Sequence, residues 1–333
     1  MTDQLKGRTV FITGSGGVLG STYVRRMLAE GARVIASDLP GKRADALVEN
    51  HGKEANFRFY PLDVADEDQV VEIFARILKD GWEPNVVLNN AAITGELLMG
   101  AGKGFPDFCD LEVGDWEKTM RTNLTGPFMV ARQMDRDIVG KWPCTLVNVA
   151  SMYALNGAHH RIYEGMPFKN FSAYGVTKAG IHGLTVWLAG YWAPRGATVN
   201  TIAPGAVFNG HSDEFQRRVG ELIMLDRMAK PDEIADAMLF LASGAAGYMT
   251  GQLLNVDGGF SGWGAGARSP ASCGRWHRNG PEGRHGFRPA TGRANLRASG
   301  RGTGLPASAR GSRHRRRWPL PPDIRWYGSP GRR

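Results

Sequence analysis

VFITGSGGVLGSTYVRRMLAEGARVIASDL, residues 10–39, decides how the rest of the chain is read. A β-branched and aromatic run enters a glycine cluster, a helical pattern follows, and a second β-branched run ends on Asp38. A helix that starts directly after such a loop offers unpaired N–H groups and a partial positive charge, which suit a pyrophosphate. The glycines let the backbone come close to it. The spacing TGxxGxxG is met in full by Thr13, Gly14, Gly17 and Gly20, whereas TGxxxGxG fails at Val18. Ser15, Val18 and Leu19 complete the expected cradle, with the Val18 side chain expected to turn into the helix–sheet packing. Asp38 lies 24 residues after Gly14, suited to accept hydrogen bonds from an adenosine ribose. Its carboxylate would repel a 2′-phosphate, so NAD is expected over NADP, with Arg43 the nearest cation that would argue otherwise.

Working outward, strand patterns fall at 9–13, 33–37, 57–62, 85–90, 144–150, 197–203 and 252–256. Helical patterns lie between them at 18–30, 66–79, 115–138, 173–192 and 231–242. The last begins Pro-Asp-Glu, a favourable start at the positive end of the dipole, and sets Ile234, Ala235, Met238 and Leu241 on one face. Seven apolar strands separated by helices predict an α/β fold: a doubly wound parallel sheet with helices on both faces, in a single domain. Such sheets bind ligands outside the carboxyl ends of their strands. The polar groups at those ends are therefore the candidates. They are Asp63 and Val64 after the third strand, Asn90, Ala91 and Ala92 after the fourth, and Ser151 after the fifth. Pro204, Gly205 and Val207 follow the sixth. Asp63 is also placed to cap the helix that begins near Asp66.

The chain has 333 residues and a net charge of +9, but the charge is uneven. Residues 264–333 hold 16 Arg, no Lys and two acids, with 13 Gly and 8 Pro. A segment of that composition buries too little apolar surface to offset its ordering entropy, and is expected to be a disordered extension. Residues 1–263 are mildly acidic by difference. The missing lysines point to a codon-biased extension, so nucleic acid is not an expected partner. Three cysteines, Cys109, Cys144 and Cys273, form neither a CxxC pair nor an even framework, which fits a reducing compartment. No signal-peptide pattern and no bilayer-length apolar run is present, and a cytoplasmic protein is expected. No ligand cluster points to a metal.

Tyr174 and Lys178 stand four apart in YGVTK, on one face of the helical pattern at 173–192. The order of elements is then glycine loop, Asp38, NNAA, Asn123 in TNLTG, Ser151 in NVAS, YGVTK, VNTIAPG and the closing GQLLNVDGGF. Over residues 5–263 this resembles the short-chain dehydrogenase/reductase family, with its Rossmann-type fold. The resemblance implies Tyr174 as general acid/base and Lys178 as the residue that lowers its pKa and holds the nicotinamide ribose. It implies Ser151 as the orienter of the substrate oxygen, and Asn123 as the anchor of a relay water. It also implies a small-molecule substrate and a homo-oligomer, tetramer or dimer.

Between Ser151 and Tyr174 lie 22 residues, about ten more than is common in the family. Flanked by two catalytic candidates, this insert is expected to rise over the substrate mouth. Its IYEG, followed by YGVTKAGI, resembles a subgroup of flagellin- and surface-glycan-modification dehydrogenases. A polyol, sugar or sugar derivative is then the expected substrate, with His159, His160, Arg161, Tyr163, Glu164 and Lys169 as contacts. The TGxxGxxG spacing also occurs in the extended branch, and an epimerase or dehydratase acting on nucleotide sugars is the alternative. DGGF at 257–260, the usual terminus of the short branch, favours a dehydrogenase.

Overall fold

The computed structural model describes residues 3–95, 106–166 and 168–263. The expected extension at 264–333 lies outside the described residues. Seven strands form one parallel sheet in the order β3-β2-β1-β4-β5-β6-β7. They are β1 (Thr9–Thr13), β2 (Arg33–Asp38), β3 (Phe57–Pro61), β4 (Val86–Asn89), β5 (Cys144–Val149), β6 (Ala197–Pro204) and β7 (Leu253–Val256).

The pleat sends alternate side chains to opposite faces, and the two faces have separate cores. Val10 and Ile12 of β1, with Val86 and Leu88 of β4, pack under α1 (Val18–Ala29), α2 (Lys42–His51) and the helix Pro231–Ala242. Phe11 and Val87 face the other way, toward α3 (Glu67–Lys79) and the helices Gly126–Asp137 and Ser172–Trp192. In chain order the later helices are α4 (Val113–Met120), α5 (Gly126–Asp137), α6 (Ser172–Trp192), α7 (Asp213–Gly220) and α8 (Pro231–Ala242). The apolar face expected on α8 is buried as read, at Ile234, Ala235, Met238 and Leu241.

Three features depart from the sequence reading. The short helices α2 and α7 were not expected. Each buries only two or three side chains, too few for a clear period. The continuous helix expected over 115–138 is interrupted by one π turn, Arg121–Thr125. Finally, Val18 is 37% exposed, and its neighbour Leu19 makes the core contact instead. At the first position of α1, the helical rotation turns Val18 outward over the loop and brings Leu19 onto the sheet.

Candidate active site

The strand order reverses between β1 and β4, and a crevice opens beyond their carboxyl ends. Gly14 sits there at φ +63°, where a Cβ would lie 2.6 Å from the Ala91 Cα. Only glycine fits both the left-handed conformation and that approach. At Gly20 a Cβ would stand 2.2 Å from the Gly14 carbonyl oxygen, so glycine also lets α1 close onto its own loop. Gly17 caps α1 with no side chain, so no capping side chain takes up the N–H groups of the first turn. Ser15 is buried, its N–H and hydroxyl both donating to the Ser37 carbonyl.

The loop is fastened from β4. The Asn90 side chain donates to the carbonyls of Thr13 (3.1 Å) and Gly14 (2.9 Å). The Thr13 hydroxyl accepts from the N–H groups of Asn90 and Ala91. The Asp38 carboxylate accepts from the Gly16 N–H at 2.7 Å and the Leu39 N–H at 2.8 Å, and Arg43 packs beside Gly16. Asp63 accepts from the Ala65 N–H, while the cap of α3 is Asp66, which accepts from Asp68 and Gln69. Val64 lies against Gly126, and Gly205 passes so close to Asp257 that a Cβ would be 2.6 Å from its Cα. A backbone cradle that any Cβ would fill, a helix amino terminus and a carboxylate on the neighbouring strand fit a dinucleotide.

The π turn carries Asn123, which is buried. Its carbonyl accepts from the Ile93 N–H at 2.7 Å, and its amide donates to the Ile93 carbonyl at 3.0 Å and to Thr177 at 3.4 Å. A π turn places one extra residue on the inner face, a device frequent at functional sites. Ser151 follows β5, and its oxygen accepts from the Tyr153 N–H at 3.2 Å. Tyr174 and Lys178 stand on one face of α6. The Lys178 ammonium lies 5.6 Å from the Tyr174 ring centroid and donates to the Val149 carbonyl at 2.8 Å.

The electrostatics differ from expectation. Burial lowers the Lys178 pKa to about 8. The Tyr174 phenol stands above its ordinary value: burial raises it, a hydrogen bond with Ser151 opposes this, and the neighbouring Tyr153 adds to it. The expected downward pull of Lys178 does not prevail, because the ammonium is itself disfavoured by the dry site and is held by a backbone carbonyl.

Ser151 and Tyr174 open into one cavity of about 240 Å³. Its lining is mixed: Gly205 and Val207, the apolar Met152, Ile162, Phe215 and Met228, and the polar Thr94, Lys169, Asn170 and His211. Phe168 and Phe215 meet edge to face at 4.9 Å, and His211 stacks on Phe215 at 5.1 Å. These last residues come from α7 and its approach, which the sequence reading missed. The pattern Phe215, Val219, Leu222 behind the cap Ser212 was the available signal.

The insert helps line this cavity, and its Ile162 and Tyr163 are buried in one cluster with Phe215 and Val219. Its expected substrate contacts divide. Tyr163 and Lys169 line this cavity, whereas His160, Arg161 and Glu164 line a second one behind it. His159 lines neither. Among the described residues no three His, Cys, Asp or Glu side chains converge as a metal site.

A family model described as enoyl-(acyl carrier protein) reductase matches residues 17–261. The chain belongs to the short-chain dehydrogenase/reductase family. It is 30% identical over 261 residues to a 3-oxoacyl-[acyl-carrier-protein] reductase of Thermotoga maritima, covering 77% of this chain and 98% of the relative. It is 34% identical over 269 residues to a galactitol 2-dehydrogenase of Rhizobium johnstonii, covering 78% and 97%. A short-chain dehydrogenase from Leptospira borgpetersenii, solved with bound NAD+, superposes with a TM-score of 0.69. It is 30% identical, with 78% of this chain and 95% of that one covered. The chain is an oxidoreductase of this family, on a seven-stranded Rossmann-type sheet.

Proposed function

We propose that this dehydrogenase interconverts a secondary alcohol and its ketone with NAD as its preferred cofactor. One observation carries the reading: Ser151 and Tyr174 line one small cavity, with the Lys178 ammonium beside the tyrosine ring. The Gly14–Gly20 loop and α1 would hold the pyrophosphate, and Asp38 the adenosine ribose. Asp63, Val64, Ala91, Ala92, Pro204, Gly205 and Val207 would line the rest of the cofactor crevice. The nicotinamide supplies or accepts the hydride. The NAD preference is supported by the Asp38 carboxylate at the end of β2.

The chain's own part is proton transfer and orientation. Ser151 donates to the substrate oxygen and holds it beside the Tyr174 hydroxyl. Tyr174 gives its proton to that oxygen in reduction and takes it back in oxidation. A phenol held above its usual pKa is protonated at neutral pH, the form that gives a proton to a ketone oxygen. Lys178 would bind the ribose hydroxyls and, once positively charged neighbours arrive, favour the phenolate. Asn123 would position a water between Ile93 and Lys178. The mixed lining supports a substrate that carries both apolar and polar groups beside its reacting carbon. Exposed aromatics on α6, Trp187 and Tyr191, support a homo-oligomer built across that helix.

The test is ketone-dependent loss of NADH absorbance, with NADPH in parallel. Tyr174→Phe is expected to lower kcat by about 100-fold or more, with the melting temperature kept. Unchanged turnover in that variant would remove Tyr174 from the mechanism.

A further inference from the structure

The sheet face under α6 is polar where an apolar core would serve. Asn89, Asn148 and Thr201 are neighbours in register on β4, β5 and β6. All three are buried, and so is Thr185 of α6, which meets them. The Asn89 side-chain amide donates to the Asn148 Oδ1 at 2.9 Å and to the carbonyl of Pro127, at the start of α5, at 3.3 Å. The Asn148 amide donates to the Thr185 hydroxyl at 2.8 Å, and the Thr201 hydroxyl donates to it at 2.7 Å. Thr185 in turn donates to the Ile181 carbonyl at 3.0 Å. Its oxygen uses its one donor and both acceptor positions, the full capacity of a hydroxyl.

Stability does not call for this seam. Buried amides and hydroxyls give up water, and their hydrogen bonds return little net. The Asn89 Oδ1 is buried with no partner among the described residues. Apolar side chains of the same shape would hold the helix on the sheet about as firmly. What the hydrogen bonds add is direction, which apolar burial lacks. Between Lys178 and Leu188 only Ile181 and Thr185 of α6 are buried, so apolar packing does little to fix the helix along its own axis there.

The seam joins the elements that carry the candidate catalytic groups. Asn148 stands three residues before Ser151, Pro127 four after Asn123, and Thr185 seven after Lys178. Seven residues are about two helical turns, so Thr185 lies on the face that carries Lys178. Lys178 donates to the carbonyl of Val149, the residue next to Asn148.

Building on the alcohol–ketone reading above, we infer that Thr185 is the positioning residue of the Tyr174–Lys178 pair. Asn148 and Thr201 hold its hydroxyl and fix where α6 stands along the sheet. That sets where the Tyr174 phenol meets Ser151 and the substrate oxygen. Thr185 does not line the cavity and acts through the helix alone.

Thr185→Val keeps the shape and removes all three bonds, whereas Thr185→Ser keeps the hydroxyl. Ile77→Val, a buried change on α3 outside the seam, is the control for lost stability. In Thr185→Val, kcat for ketone reduction is expected to fall about tenfold, with KM for ketone and for NADH within about twofold. The isotope effect on kcat with NADH deuterated at C4 should rise, because the chemical step is the one slowed. Thr185→Ser and Ile77→Val should keep kcat within about twofold of the parent. Without any substrate, amide hydrogen exchange over residues 172–178 should quicken about fivefold or more in Thr185→Val, and not in Ile77→Val. Unchanged kcat or unchanged exchange in Thr185→Val would overturn the inference, as would an equal loss in Thr185→Ser or Ile77→Val. If Thr185→Val does not fold, Thr201→Val removes one of the three bonds in its place, with about a threefold fall in kcat and the same quickened exchange. A parent enzyme without ketone-dependent loss of NADH would sink the alcohol–ketone reading alone, and the exchange comparison would still decide the positioning.

Discussion

Lys178 is the residue at which function and stability pull against each other. The residue is 4% exposed, and burial lowers its pKa from 10.5 to about 8. Between those values the unfolded chain holds a proton that the folded chain gives up. Stability therefore rises as pH climbs from about 8 toward 10, and the full penalty is present below 8. Lys178→Met removes that charge at the cost of one hydrogen bond to the Val149 carbonyl. The variant should be inactive yet more stable at pH 7, by about 1–3 kcal/mol. Urea titrations at pH 7 and pH 9.5 check this, because the advantage over the parent must shrink at the higher pH. A constant difference would mean that Lys178 is not the titrating group. The Tyr174–Lys178 pairing was legible from YGVTK in its place within the order of motifs, from the glycine loop to the closing GQLLNVDGGF. The direction of the Tyr174 pKa was not, because burial in the folded chain decides it, with the Ser151 hydrogen bond and Tyr153 brought in from the segment after β5.

At the scale of elements, the insert and α7 form one lid. Arg218 of α7 donates to the carbonyls of Glu164 at 2.6 Å and Ile162 at 3.4 Å, joining the two segments through the insert's backbone. Beneath that contact lie Tyr163 and Phe215, their rings 5.8 Å apart. Arg218→Ala should loosen the lid and leave the chemistry at Tyr174 alone. KM for the ketone should rise about three- to tenfold, with kcat changed by less than about twofold. Steady-state kinetics give the split, and faster proteolytic cleavage within 155–165 would locate the loosening. A fall in kcat with KM unchanged would place Arg218 in the chemical step instead. The insert was visible as excess length between Ser151 and Tyr174, and its place at the cavity followed from its flanks. Its partner was not visible. A helix of eight residues such as α7 shows barely two turns of periodicity, and His211, Phe215 and Met228 meet the insert only in space. The long elements behaved differently: α1, α3, α6 and α8 each carry a sustained apolar face, and the seven strands were read to within a residue or two. The π turn escaped for a related reason, since Asn123 shifts by a single residue inside an otherwise regular helix.

The whole molecule divides by composition near residue 263, and that division can be tested. Both sheet cores are closed by residues between Leu5 and Ala246, and the family match ends at residue 261. We propose that residues 1–263 are the complete catalytic unit. Among the described residues no helix is long and apolar enough to cross a membrane. The exposed Trp187, stacked on Tyr191 at 4.9 Å, belongs to the same unit and projects from the helix that carries Tyr174. Trp187→Glu puts a charge into that apolar stripe and should lower the oligomeric order seen by light scattering, with the monomer still folded. A chain ending at Trp263 should keep the full chain's oligomeric state, its ketone-dependent rate and its melting temperature to within about 2 °C, because both cores are closed within residues 1–263. Its net charge should change sign, since 16 arginines leave and only two acids go with them. It should therefore bind an anion exchanger at pH 8, where the full chain does not. A truncated chain that fails to fold, or folds without turnover, would make the arginine-rich segment part of the working enzyme. The +9 of the full chain would then have to be explained by what that segment contacts.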